Sequence, residues 1–418
     1  MNKKLFWAGC GSVIVTAGLL SFKLLTTGTG AADNAGLTLP QGFKAVAIAE
    51  NIGSARHIAV TPQIDIYVHL ARPQNGKGIV VLHDNGGPKA DVKTSFGNFG
   101  GTGLRINNGY LYASSNSTVY RFKLNANNEV INPDAPEIVV SGLVSKRTHE
   151  DKAMAFDNAG NMYVNIGAYS NICSELDPDK KGCPILDSAG AIWKFKTNKV
   201  NQKQSDGVKF ASGLRNVVGL DWNQQANQLF VMQHGRDLLT VLFPKLYTAK
   251  QSAELPSEAM FALKEGDNAG WPYVYYDHQK QKNMMGPEYG GDGVKEADPK
   301  YLKPVMGYPG HLAPVGLMFY TGNQFPAKYK NGAFIAFHGS WNRAPEPQEG
   351  FFVVFQPFKN GRPDGQWEIF ANGFAGTAEQ KAAGRAEHRP VGLAQANDGS
   401  IYVSDDSKGF IYKISYQK

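Results

Sequence analysis

Little in this chain of 418 residues is helical in pattern, and only 19% of it is charged. Apolar residues spaced i, i+3, i+4 are scarce beyond the N-terminus, which argues against a helical bundle or an alternating α/β fold. No block of lysine and arginine carries interleaved aromatics, so the net charge of +7 is spread out and nucleic-acid binding has no support. No C-x-x-C-H occurs, which removes a built-in haem. The one long apolar stretch is broken by Lys23, leaving it shorter than the roughly 20 residues of a membrane-spanning helix. Cysteine is limited to Cys10, Cys173 and Cys183.

The N-terminus has the parts of a targeting segment. M-N-K-K supplies positive charge, L-F-W-A-G-C-G-S-V-I-V-T-A-G-L-L-S-F an apolar core, and G-T-G-A-A small residues for cleavage. We read residues 1–32 as a signal peptide, with cleavage after Ala32 and an uncleaved anchor as the alternative, and residues 33–418 as one domain. Cys10 lies inside rather than after the apolar run, which argues against lipid attachment. Export implies a periplasmic or secreted protein, with membrane contact only if the segment is retained. In such a chain Cys173 and Cys183, closing a short polar loop, are expected to pair. A metal site there would want more soft ligands nearby.

What the chain does have is a recurring phrase: a polar group, a strand, a turn, a second strand. Ser212 to Trp222 reads S-G-L-R-N-V-V-G-L-D-W and is followed by a turn and Q-L-F-V-M-Q. Variants follow Arg56 and His57, begin at Gly103-Leu104, and follow His149, His311 and Arg389, giving six copies in all. Several continue into a third strand, as in V-Y-R-F-K-L, A-I-W-K-F-K-T, F-F-V-V-F-Q-P-F and F-I-Y-K-I-S-Y. Short alternating runs between Asn, Asp and Gly turns are strand signals. Repetition at roughly 45 residues or more predicts an all-β, six-bladed β-propeller with inserted loops. Leu37 to Ile52 is expected to supply an edge strand to the last blade, so that both termini are needed to close the ring and remove exposed edges.

In a propeller the innermost strand of each blade lines the channel, so the residue before it sits at one rim. Arg56, His149, Arg215, Asn216, His311 and Arg389 are therefore predicted to converge from different blades into a cationic pocket. A lone histidine or arginine more often packs or caps a turn; the recurrence of position is what favours a shared site. His149, with an ordinary pKa near working pH, is a candidate general base, and Glu150 or Asp151 could orient it. The long stretch from Leu242 to Lys303 is expected to shape substrate choice.

The phrases T-H-E-D-K-A-M-A-F-D, S-G-L-R-N-V-V-G-L-D-W, Q-H-G-R-D, E-G-D-N-A-G-W-P-Y, F-H-G-S-W-N-R-A-P and H-R-P-V-G-L-A resemble the glucose/sorbosone dehydrogenase family of soluble PQQ-dependent sugar dehydrogenases. The resemblance runs from about Leu39 to the end, and P-E-Y-G-G-D-G is similar to the sorbosone-dehydrogenase-like branch. It implies PQQ on the top face, with calcium helping to hold and polarise the quinone. It implies further that His149 takes the substrate hydroxyl proton while hydride goes to the quinone. Arg215 and Asn216 match residues contacting the quinone oxygens, and Arg389 one that pairs with a PQQ carboxylate. Rigid guanidinium forks suit a planar tricarboxylate, and an arginine beside the quinone would stabilise developing charge.

Two departures stand out. Where the soluble glucose dehydrogenases have a lysine toward PQQ, this chain has His338, Asn342 and Arg343, of which Arg343 is the expected substitute. The calcium loop would be Gly235, Arg236 and Asp237 with the carbonyl of Ala269, but no later Glu follows; a cation that takes about six or more oxygens would lean on carbonyls and water. The implied activity is oxidation of an aldose or sugar aldehyde, with electrons passed to an external cytochrome or quinone. The rival reading is a non-redox propeller, either a calcium-dependent lactonase-like hydrolase or a carbohydrate- or protein-binding module.

Overall fold

The computed structural model describes residues 34–417; the expected signal peptide of residues 1–32, with Cys10, lies outside the described residues. Six sheets of at least four strands follow one another along the chain. Their innermost strands are Ala55–Val60, Leu104–Asn107, Met154–Phe156, Val217–Asn223, Pro314–Phe319 and Pro390–Gln395. Each touches the next, and the sixth touches the first, so the sheets close into a ring. The six-bladed propeller read from the repeats is the fold. The third-strand phrases fall where expected, at Thr118–Lys123, Ala191–Lys196, Phe352–Gln356 and Ile411–Tyr416.

The recurring V-G-L has a packing cause. An added Cβ at Gly316 would lie 2.2 Å from the carbonyl oxygen of Val391 in the next blade, and one at Gly392 would lie 2.5 Å from that of Arg56. Innermost strands run so close around the channel that no side chain fits at these points. In the first, fourth, fifth and sixth blades the innermost strand also slips register near its start, between Ala55 and Ile58, Val217 and Leu220, Pro314 and Gly316, and Pro390 and Leu393. Such bulges re-aim side chains; here they sit beside the polar residues of the rim.

Ring closure follows the sequence reading. Phe43–Ala49 pairs antiparallel with Ile411–Tyr416, Phe43 opposite Tyr416. The Phe43 ring packs edge-on against Phe325, Tyr329 and Phe370 of the fifth blade, with centroids 4.8–5.3 Å away. A buried ring of this size contributes about 1.5–3 kcal/mol, so the closing strand is held by its side chains as well as its ladder. Apolar clusters fill the spaces between neighbouring blades.

Two features of the fold depart from the sequence reading. The stretch 242–303 is more than an insertion: Glu258–Leu263 is the third strand of the fourth blade, and Asp267–Asn268 adds in parallel to the third blade. The additions within it are the short helix Ala249–Glu254, the hairpin Val274–Asp277/Lys282–Met285 and the 3-10 turn Pro287–Tyr289, and the helix Leu239–Leu242 leads into it. Among the described residues no helix is long and apolar enough to cross a membrane. Cys173 and Cys183 are bonded, as expected, and fold the loop after the third blade's second strand back onto Trp271 and Tyr273.

Candidate active site

On the rim of blades three to five a cavity of about 200 Å³ brings His149, Arg215, Gly235, Asp237 and His311 together. His149 sits on the connection into the third blade with a left-handed φ of 52°. Gly167 makes room for it, since an added Cβ there would lie 2.6 Å from the His149 carbonyl oxygen and 2.7 Å from its Cβ. The imidazole Nδ1 meets the carbonyl oxygen of Ala168. A carbonyl only accepts, so Nδ1 carries the proton and Nε2 keeps its lone pair. Burial, with the Arg215 charge beside it, lowers the His149 pKa to about 3, so the ring is neutral at ordinary pH. Neither Glu150 nor Asp151 orients it, contrary to the sequence reading. Glu150 caps its own loop through Arg147 N and Ser145, and Asp151 binds Arg56 and Thr102.

Arg215 is buried and held on three sides. Its Nε donates to Asn171 O (3.3 Å), Nη1 to Gly235 O (2.9 Å) and Nη2 to Asp237 Oδ2 (2.6 Å). One hydrogen on each terminal nitrogen is left over. Asp237 also accepts from Asn342 Nδ2 (2.6 Å) and faces His311 Nδ1 at 3.3 Å. Burial pushes the Asp237 carboxyl up, but Arg215, His311 and Asn342 outweigh it and hold it well below the carboxylate range. His311 Nε2 meets Ser252 O (2.7 Å), so both ring nitrogens face acceptors. Burial opposes the charged form, yet the Asp237 contacts raise the pKa overall. Asn216 lies against Gly167 beside His149, and its buried Oδ1 has no hydrogen-bond partner among the described residues.

The remaining expected site residues separate into used and unused. Arg389 is half-buried over the Phe351 ring at 5.0 Å with one long bond, Nη1 to Gly339 O (3.4 Å), and retains most of its N–H groups. Arg343 is corrected: it faces the scaffold rather than the cavity. Its Nε donates to Pro347 O, Nη1 to Ala253 O and Gly310 O, and Nη2 to Glu254 (2.6 Å), which spends the guanidinium on loop carbonyls and one carboxylate. Arg56 is likewise neutralised, by Asp406 at 2.9 Å and Asp151 at 3.2 Å. Arg236 is in a buried ion pair with Glu288. Ala269 lies at the edge of the third blade, its N–H on Ser212 O, and does not line the cavity. No group of three or more His, Cys, Asp or Glu side chains is arranged to hold a metal among the described residues.

Sequence reasoning missed Glu258 and His234. Glu258 opens a strand buried at every residue and accepts from Gly235 N (3.0 Å) and Ala313 N (3.1 Å), bolting the fourth-blade rim to the fifth. Burial raises its pKa to about 7. A single acid heading the otherwise apolar run E-A-M-F-A-L was the available signal. His234, in Q-H-G-R-D, lines the cavity with Nε2 on Pro314 O (3.1 Å), and burial lowers its pKa to about 4.

The ring of six blades thus gathers histidines, a guanidinium and carboxylates around one cavity at its rim. The chain belongs to the TrAA12-like family, whose model matches residues 37–417. An uncharacterized protein of Borreliella burgdorferi is 29% identical over 275 residues, 66% of this chain and 62% of that protein. A pyrroloquinoline quinone-dependent pyranose dehydrogenase of Coprinopsis cinerea is 24% identical over 60% of this chain and 37% of that protein. The chain thus spans less than two thirds of the length of these curated relatives. The calcium structure of Trichoderma reesei Carbohydrate-Active Enzymes Family AA12 superposes with a TM-score of 0.74 at 19% identity, covering 91% of this chain and 97% of that one, a likeness of fold.

Proposed function

We propose that this protein is a PQQ-dependent dehydrogenase that oxidises an aldose or related sugar aldehyde outside the cytoplasm and passes electrons to an external cytochrome or quinone. The observation that carries this reading is His149: a neutral imidazole with its Nε2 lone pair free, buried beside a guanidinium in a cavity at the propeller rim. Relatives that are PQQ-dependent sugar or pyranose dehydrogenases support it.

The residues present fit an anionic planar quinone. Arg389 has N–H groups to spare for a carboxylate, and Arg215 keeps one unused hydrogen on each terminal nitrogen. PQQ, when bound, supplies the hydride acceptor. His149 Nε2 takes the hydroxyl proton, and Ala168 O holds the ring in the tautomer that allows it. Arg215 stabilises negative charge as it develops, in a site where burial strengthens its field. Calcium, for which the calcium-containing relative speaks, would have to lean on backbone carbonyls and water here, since Gly235 O already accepts from Arg215. The Asp237 carboxylate is already shared by Arg215, His311 and Asn342.

The test is titration of the protein with PQQ and calcium, followed by dye reduction across a sugar panel. Tight binding and aldose-dependent turnover that vanishes in His149→Ala are expected. Absence of PQQ binding at micromolar concentration with calcium present overturns the reading.

A further inference from the structure

The exposed apolar side chains of this protein are unevenly placed. Leu238 (43% exposed), Val241 (72%), Leu242 (44%), Leu246, Val294 (76%) and Trp341 (72%) all stand at the rim of the fourth and fifth blades. Leu238, Val241 and Leu242 share the outer face of the short helix Leu239–Leu242, whose inner side chains Leu239 and Phe243 pack under it with Tyr247. Leu238 adjoins Asp237 and Trp341 adjoins Asn342, and those two neighbours are hydrogen-bonded at 2.6 Å. Leu246 adjoins Tyr247, and Gly293 lies against that same ring with Val294 next to it. These links place the six residues at the cavity mouth and around the helix beside it. Large apolar side chains this exposed, gathered in one region, mark a surface that is covered in use.

The charges say by what. Between Leu238 and Lys250 the charged side chains are Lys245 and Lys250, both exposed, and neither has an ion-pair partner among the described residues. On the Val294 loop the exposed Asp292, accepting from the N–H groups of Val294 and Lys295, stands close to the exposed Lys295, so the pair adds no net charge to the patch. Lysine is depleted in protein–protein interfaces, whereas Leu, Val and Trp set among lysines is the composition that settles into an anionic lipid surface. We propose that this patch docks the protein on an anionic bilayer, with the leucine and valine side chains in the acyl boundary and Lys245 and Lys250 at the headgroups. Taken with the dehydrogenase reading, on which this last step rests, the cavity mouth then opens beside the bilayer, and the acceptor is a lipid-soluble quinone.

Ring closure uses residues 43–416 alone, so the chain from Asp33 onward is a complete fold for the test and carries no apolar leader. Its co-sedimentation is measured with vesicles of phosphatidylglycerol and phosphatidylcholine and with phosphatidylcholine alone. Binding is expected only with the anionic vesicles, weakened at least about tenfold by V241D/L242D and by K245E/K250E, with melting temperature and soluble-dye turnover unchanged. No sedimentation, or sedimentation unaffected by V241D/L242D, overturns the proposal. So does a lipid-free, concentration-dependent dimer that V241D/L242D abolishes, or patch-dependent reduction of an acidic cytochrome with no vesicle binding. The vesicle measurement needs neither cofactor nor sugar, so its failure and the failure of the dehydrogenase reading are separate results.

Discussion

Gly167→Ala tests the site through a residue that touches no ligand. The added methyl would lie 2.6 Å from the His149 carbonyl oxygen, 2.7 Å from His149 Cβ and 3.0 Å from Asn216 Oδ1. Non-bonded carbon normally keeps about 3.5 Å, so His149 must retreat by about 1 Å. Its own backbone, already at a φ of 52°, offers no relaxed alternative. A misplacement of that size costs on the order of 100-fold in rate, or about 2.7 kcal/mol of transition-state stabilisation. The assay is kcat for sugar-dependent dye reduction at saturating PQQ, with the melting temperature as control. The predicted signature is a fall of about 100-fold in kcat, a small change in melting temperature, and no additional loss when Gly167→Ala is combined with His149→Ala. A Gly167→Ala enzyme within about twofold of the parent kcat would refute the placement of His149 as the base.

The pH behaviour has a defined sign. His57, His149 and His234 are buried neutral, with pKa values lowered from 6.5 to about 3, 3 and 4, so in the unfolded chain they bind protons that the folded one refuses. The share of stability these three contribute is full above pH 6.5 and is lost as pH falls toward about 4 and 3, which melting curves across that range will show, while kcat/KM has no acid limb at 6.5 from His149. Arg343→Met strands Glu254 and three carbonyls and is expected to cost about 3–5 kcal/mol of stability by denaturant unfolding. Arg389→Ala leaves stability nearly unchanged and weakens PQQ binding by about tenfold or more, read by fluorescence titration. Replacing both Cys173 and Cys183 by serine frees a loop of separation 10 and is expected to cost about 2–3 kcal/mol.

The fold was legible because each blade writes the same phrase, and the phrase has physical causes that a sequence displays. Gly316 and Gly392 are glycines because neighbouring innermost strands leave no space for a Cβ. The site was legible only in part. Arg343 and Arg389 look alike in sequence, each in a rim segment followed by proline within two residues. What separates them is Glu254, far back in the chain, waiting opposite one and not the other. The partner of His149 was sought in the adjacent Glu150 and Asp151, but it is the Ala168 carbonyl, and a backbone oxygen has no letter of its own. Glu258 was passed over because it heads a strand whose other residues are all core.

The pairing of Phe43–Ala49 with Ile411–Tyr416 also fixes an order of events. A polypeptide delivered amino end first presents the closing strand at the outset and must leave it idle until the final strand arrives. Every blade between can form beforehand, yet none of them can seal the ring. Loss of the strand Ile411–Tyr416 therefore leaves an open arc with unpaired edges, a species prone to aggregate. Completion of the chain is thus a checkpoint written into the geometry.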